Sequence, residues 1–387
     1  MYHKTIAGLI DAHFHGCNFR HVYVDPIELI KTMNENNVVQ MVCFGLPVKK
    51  KKVFSDRADK ASYYRTSEER VYDFGQTDNT MRELIARLPL VERSRFHLGL
   101  CGFNPCDMDS ADLVIKLLEA SPGAYRFVGE TFSHHDHLSV MNMDQEISRI
   151  DHPALMKLYR ALVDRKELFE GKQPVVMVHH NLGTNVRGEA LRFVSELDNA
   201  LFENPALTFV IPHVGYTPGL KKYLQRYYPV KVQKLLRTHH NLFFDLSWAV
   251  FDELICADLR TWADVLREFP DRFMIGTDKL GLTREDPGHT LINGTYYYLT
   301  LNKDDQYELG TDKSKPFLVF STWRELLGNL DVLPKDSEEL VATLETMLPD
   351  MENYSKAINK YLILKDALKD DEAWRKISFG TAAKIFS

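Results

Sequence analysis

Ile10-Asp11-Ala12-His13-Phe14-His15 is an apolar run that ends in two histidines spaced two apart, and its reading decides the fold. Successive side chains on a strand point to opposite faces, so His13 and His15 share one face at one strand end. Two imidazoles projected together in this way suit a divalent metal ion. The plain alternative is a pair of core histidines satisfied by backbone carbonyls, and partners elsewhere in the chain decide between the two. The same alternation puts Asp11 on the His13 face one layer deeper, either orienting a ligand histidine or forming a buried salt bridge.

Outward from this stretch the chain alternates strand and helix. The apolar runs predict strands over 5–13, 38–44, 96–103, 124–129, 174–178, 207–211, 242–246 and 273–275. Helices are predicted between them over 25–36, 79–91, 110–120, 153–168, 190–202, 220–236 and 259–269. The first opens with Asp25 as cap and Pro26 at its first position. Eight alternations without a hairpin signal argue for parallel strands with right-handed crossovers, and eight is the count that closes a (β/α)8 TIM barrel. An open doubly wound sheet is the alternative, but no glycine-rich phosphate turn follows the first strand.

The remaining length is a tail of extra elements. Residues 281–316 are polar and aromatic, with Tyr296, Tyr297, Tyr298 and Tyr307, and suit a lid over the barrel mouth. Helices are predicted over 317–327, 336–347 and 352–368. No linker or repeat appears, so 1–387 reads as one domain, with the barrel over 5–280 and the lid and closing helices over 281–387.

Composition sets outer bounds. Hydrophobic residues at 44% and charged residues at 26% describe an ordinary globular protein, and a net charge of -6 argues against a nucleic-acid partner. Five cysteines without a paired pattern favour a reducing compartment. No apolar run approaches the roughly 18 residues of a membrane span. The sequence thus predicts a cytoplasmic protein with no membrane partner. It leaves the oligomeric state open, with a homodimer as the ordinary outcome.

In a closed parallel barrel the strand ends converge on one mouth. That mouth would collect His13 and His15 from the first strand and Glu130 from the fourth. The fifth would add His179 or His180, the sixth His213 and the eighth Asp278. Asp245 and Trp248, at the seventh strand end, either line the pocket or serve structure. The loop histidines His134, His135 and His137 read as surface residues. Arg20, Arg187 and Lys279 follow strand ends and suit the grip on a carboxylated substrate, or are simply solvated charges.

The motifs together resemble the amidohydrolase superfamily and, within it, the amidohydrolase-related (amidohydrolase 2) family of metal-dependent hydrolases. The matching segments are Ile10–His15, Val176–His179, Val210–Gly215, Ile275–Asp278 and the terminal Phe379–Phe386. One departure stands out, Thr381 where the family's closing motif has asparagine.

The resemblance implies that His13, His15 and His179 are metal ligands, with His179 rather than His180 chosen by the motif register. Asp278 would touch both the metal and its water. His213 would polarise the substrate or stabilise developing negative charge. Glu130 stands where some members bridge two metals, its other reading being a mouth-lining carboxylate. The implied cofactor is one divalent ion, zinc or else manganese, that lowers the pKa of water from about 15.7 toward roughly 7. The implied activity is hydrolysis of an ester, lactone or amide of a small molecule, with Asp278 as proton acceptor. Non-oxidative decarboxylation of a small carboxylic acid is the first alternative, and a non-catalytic metal-binding barrel the second.

Overall fold

The computed structural model describes residues 8–18, 21, 23–48, 76–135, 148–184, 191–217, 227–248, 250–251, 253–281 and 354–386, together with the backbone of 49–50, 70–72, 252, 289–292, 295–301, 307–310 and 350–353. The barrel strands are β1 (Leu9–His15), β2 (Val38–Phe44), β3 (Phe96–Leu100), β4 (Phe127–Phe132), β5 (Val175–His179), β6 (Thr208–Ile211), β7 (Leu242–Asp245), β8 (Phe273–Met274) and β9 (Lys279–Leu280). They lie in the order β8-β7-β6-β5-β4-β3-β2-β1-β9, and every neighbouring pair is parallel. β8 and β9 are two parts of one eighth strand. Between them the Ala12 amide donates to Ile275 O, the Asp278 amide to His13 O and the Gly281 amide to His15 O, which closes the sheet on itself. This is the (β/α)8 TIM barrel that the alternation predicts.

The helices α1 (Pro26–Glu35), α2 (Gln76–Ala86), α3 (Ser110–Ala120), α4 (Pro153–Asp164), α5 (Val194–Glu203), α6 (Tyr228–Thr238) and α7 (Leu259–Glu268) fill the crossovers. The α1 start follows its local chemistry, because the Asp25 carboxylate accepts from the Ile27 amide at 2.8 Å and Pro26 lacks the amide that would be orphaned there. Among the described residues no helix is long and apolar enough to cross a membrane.

Two apolar layers follow from strand alternation. Ile10, Ala12, Val42, Phe44, Phe127, Val175, Met177, Val210, Phe243 and Met274 fill the barrel, while residues such as Phe14, Val128, Phe209 and Phe244 pack outward against the helices. The terminal motif supplies the stopper. Ala382 and Phe386 of α10 (Thr381–Phe386) join the inner layer, with the Phe386 ring 5.1 Å from that of Phe127 at the start of β4. Thr381 donates its hydroxyl to Pro270 O at 3.2 Å.

The structure corrects several sequence expectations. The expected helix over 352–368 is two helices, α8 (Asp350–Asn359) and α9 (Tyr361–Leu368). Antiparallel pairing, which the sequence did not signal, joins Val48–Lys50 to Arg70–Tyr72 and builds a three-stranded sheet from His289–Ile292, Thr295–Leu301 and Tyr307–Gly310. The expected helices over 317–327 and 336–347, most of the expected lid, and Arg20, His137 and Arg187 lie outside the described residues.

The most consequential correction concerns parity. Register shifts interrupt β1 between Asp11 and Phe14 and β4 between Val128 and Thr131. Such a bulge switches the face that later residues present. Ile10 and Ala12 therefore fill the barrel and His13 and His15 still point into it, whereas Asp11 faces away from them. On β4 the shift brings Glu130 inward after Phe127. Gly129 makes this possible. Its φ is +133° and a Cβ there would stand 2.1 Å from Met177 O. Gly129→Ala should therefore cost about 2–5 kcal/mol by backbone strain and overpacking, read by denaturant unfolding.

His97 on β3 gives the fold a pH signature. Burial first, then the Arg126 and Lys172 charges, lower its pKa to about 4. The unfolded chain therefore binds more protons than the folded one between about pH 6.5 and 4, and stability falls as the pH falls through that window. His97→Gln should flatten the pH dependence of unfolding by on the order of 2 kcal/mol between pH 7 and 5, measured as the change in unfolding free energy with pH.

Candidate metal centre

Six side chains meet at the C-terminal mouth of the barrel: His13, His15, Glu130, His179, His213 and Asp278. His179 arrives by plain alternation, since Val175 and Met177 below it face the same way. His180 turns outward between Ser133 Oγ at 2.8 Å and Phe193 O at 3.0 Å. His213 follows β6 in left-handed backbone, with φ of +55°, and Asp278 lies in the β8–β9 turn at +53°.

Four donor atoms form the tightest group. His13 Nε2 and His15 Nε2 are 3.4 Å apart, each lies 3.2 Å from Asp278 Oδ1, and they stand 3.6 and 3.3 Å from Glu130 Oε2. A tetrahedral ion with bonds of about 2.0–2.1 Å separates its ligand atoms by about 3.3–3.4 Å. In this quartet His13, His15 and Asp278 therefore stand at the spacing of three ligands of one tetrahedral ion, and Glu130 Oε2 lies within the same range of both rings. Glu130 turns its other oxygen to a second group, with Oε1 at 3.1 Å from His179 Nδ1 and 3.9 Å from His213 Nε2.

The partners behind each ring assign its proton. His13 Nδ1–H donates to Asp245 Oδ2 at 2.9 Å and His15 Nδ1–H to Gly45 O at 3.0 Å. His179 Nε2–H donates to Asn181 Oδ1 at 3.2 Å, and His213 Nδ1–H to Ser247 Oγ at 2.8 Å, whose own hydroxyl donates to Asp245. In the neutral ring this leaves four unprotonated nitrogens facing two carboxylates, an electron-rich centre that calls for cations. The field shows the same demand. Burial would lower the His13 and His15 pKa values, but the surrounding carboxylates override it, lifting His13 well above its usual range and His15 to about 9. Burial would raise Glu130 and Asp278, yet His13 and the other imidazoles hold both below the usual carboxylate range. His213, by contrast, is pulled to about 4 by burial. The residues present fit a bound divalent ion.

Asp278 is the solvent-facing member, with its side chain 14% exposed against 0–5% for the other five. Around it the rim is apolar and aromatic. Cys17, Leu46, Val48 and Phe132 form one cluster with Leu280 against it. Trp248 sets its ring 5.2 Å from that of His213, and His135 lies 4.3 Å from His179. Lys279 is partly buried in β9.

Sequence reasoning undervalued Asp245, whose even spacing from Phe243 marks it as inward-facing. It passed over Ser247 and Asn181, each two residues beyond an inward side chain. The surface reading of the loop histidines fails for His134, stacked on Phe193 and 2.8 Å from Glu196, and for the buried His135. Among the described residues Asp11 neither orients a ligand ring nor pairs with a base. Its carboxylate accepts from the Thr277 amide and hydroxyl and from the Tyr354 hydroxyl.

No protein-family model matches the sequence, and no curated protein does. Solved structures do match. An amidohydrolase from Burkholderia multivorans, with bound zinc, is 12% identical over 98% of this chain and 99% of that one, with a TM-score of 0.50. The same organism's amidohydrolase with bound HEPES gives 12% identity over 98% and 99%, at a TM-score of 0.48. A putative 2-pyrone-4,6-dicarboxylic acid hydrolase from Pseudomonas putida gives 12% over 70% of this chain and 83% of that one, at 0.39. At such identity the likeness is one of fold. The chain shares the barrel fold of the zinc-bound Burkholderia multivorans structure.

Proposed function

We propose that this chain is a metal-dependent hydrolase that cleaves an ester, lactone or amide bond of a small molecule with water. The observation that carries the reading is the quartet of His13, His15, Glu130 and Asp278, in which the first, second and fourth offer donor atoms at the spacing of ligands to one ion and Glu130 Oε2 lies within 3.6 Å of both Nε2 atoms. These four residues would hold one divalent ion, zinc in the first instance and manganese as the alternative. Bound there, the ion would supply Lewis acidity and water of lowered pKa.

Asp278 is the residue that moves the proton. It alone of the six opens to solvent, and its Oδ2 lies 3.7 Å from His213 Nε2, outside the quartet. That oxygen accepts the proton of the attacking water and returns it to the leaving group. Phe132, Trp248 and the neighbouring apolar side chains exclude bulk water from the reacting bond.

A second reading has a specific observation in its favour. His213 Nδ1–H is committed to Ser247, so the Nε2 facing the centre accepts rather than donates. With His179 Nδ1 and Glu130 Oε1 it makes a second donor group, which suits a second ion bridged to the first by Glu130.

Metal analysis after incubation with zinc should find one equivalent per chain, or two under the second reading, with His179→Ala then removing one. Absence of stoichiometric metal overturns the proposal. His13→Ala should lose both metal and turnover, whereas Asp278→Asn should lower kcat about 10³-fold with metal retained. Titration of released acid identifies hydrolysis, and evolved carbon dioxide in its place overturns it in favour of decarboxylation.

A further inference from the structure

The helices α8 and α9 reach the strand ends that carry the centre, and three of their side chains hold those ends by atoms outside the donor set. The Tyr361 hydroxyl lies 2.6 Å from Leu246 O and 2.7 Å from Gly276 O. It thus straddles the carbonyl just after Asp245 and the carbonyl two residues before Asp278. A phenol has one proton, so this one is shared between the ends of β7 and β8. Lys360 donates to Trp248 O at 2.8 Å, with its ammonium over the Phe251 and Tyr361 rings at 5.4 and 5.6 Å. Tyr354 holds Asp11, which in turn fixes the amide and hydroxyl of Thr277.

The held segments are conformationally demanding. Trp248 has φ of +57° and Asp278 of +53°, left-handed backbone that residues with a Cβ keep only where surroundings impose it. His13 lies between the same two segments, with Nδ1 2.9 Å from Asp245 and Nε2 3.2 Å from Asp278. The spacing of the β7 and β8 ends therefore sets whether His13 can face both partners at once.

We propose that Tyr361 and Lys360 are positioning residues for the metal centre, clasping the ends of β7 and β8 so that Asp245, His13 and Asp278 stand at ligand spacing. The clasp rests on the metal reading given above. It assigns to the C-terminal helices a part in ion affinity that no residue of the donor set reveals.

Zinc affinity, measured by competition with a chromophoric chelator, tests it on the full chain. Tyr361→Phe should weaken zinc about tenfold, the lower end of what partners behind metal ligands contribute, and Lys360→Met should weaken it in the same direction. With cobalt(II) in place of zinc, both variants should also shift the visible absorption bands that report coordination geometry. Tyr159→Phe is the control. Its hydroxyl donates to Ile150 O at 3.1 Å in the outer layer, so it should lower the unfolding midpoint without changing zinc affinity or the cobalt spectrum. If Tyr361→Phe does not fold, Lys360→Met carries the test by the same two readouts. Unchanged affinity and spectrum in the clasp variants, or an equal loss in Tyr159→Phe, overturns the clasp. Wild-type protein that binds no zinc instead overturns the metal reading beneath it.

Discussion

Asp245 is the residue around which the mouth of this barrel is built. One of its oxygens accepts from His13 Nδ1–H, while the other gathers the His213 amide and the Ser247 amide and hydroxyl. It is fully buried, and burial alone would raise its pKa, but His13 and His213 beside it keep it ionised. Through Asp245 two rings from two strands acquire fixed tautomers, and their unprotonated nitrogens face inward. A buried carboxylate is costly unless its lone pairs are met by donors, and here four donors meet them. The inner surface of the centre is thus set from the layer behind it.

Alternation along straight strands made much of this legible in the sequence. Val175, Met177 and His179 on β5 share a face, and so do Phe243 and Asp245 on β7, because nothing disturbs the two-residue period there. The fold itself was legible for the same reason, since eight apolar runs separated by helical patterns have few other ways to pack. β1 and β4 behave otherwise. Each breaks register just before its functional side chain, so Asp11 was assigned the wrong face. A bulge is fixed by the partner strand and by a close backbone approach such as Gly129 against Met177 O, and neither is written in the local pattern.

The tail was the other blind region, for a different physical reason. Tyr361 and Lys360 act on backbone carbonyls at strand ends far away in sequence, and a carbonyl leaves no residue type to recognise. The terminal Phe379–Phe386 segment shows the contrast. It was legible as a motif, yet its work is to stopper the barrel opposite the mouth, where Phe386 meets Phe127. The two ends of the inner cavity are therefore finished by the same C-terminal region, one by apolar packing and the other by hydrogen bonds to strand ends.

The closure of β9 onto β1 has a consequence for how such a centre comes into being. His13 on β1 emerges 265 residues before Asp278, and they become neighbours only through the amide and carbonyl pairs that join the last barrel strand to the first. No partially synthesised chain holds the quartet. On the proposed metal reading, capture of an ion at this mouth would accordingly be a late event that requires a finished barrel.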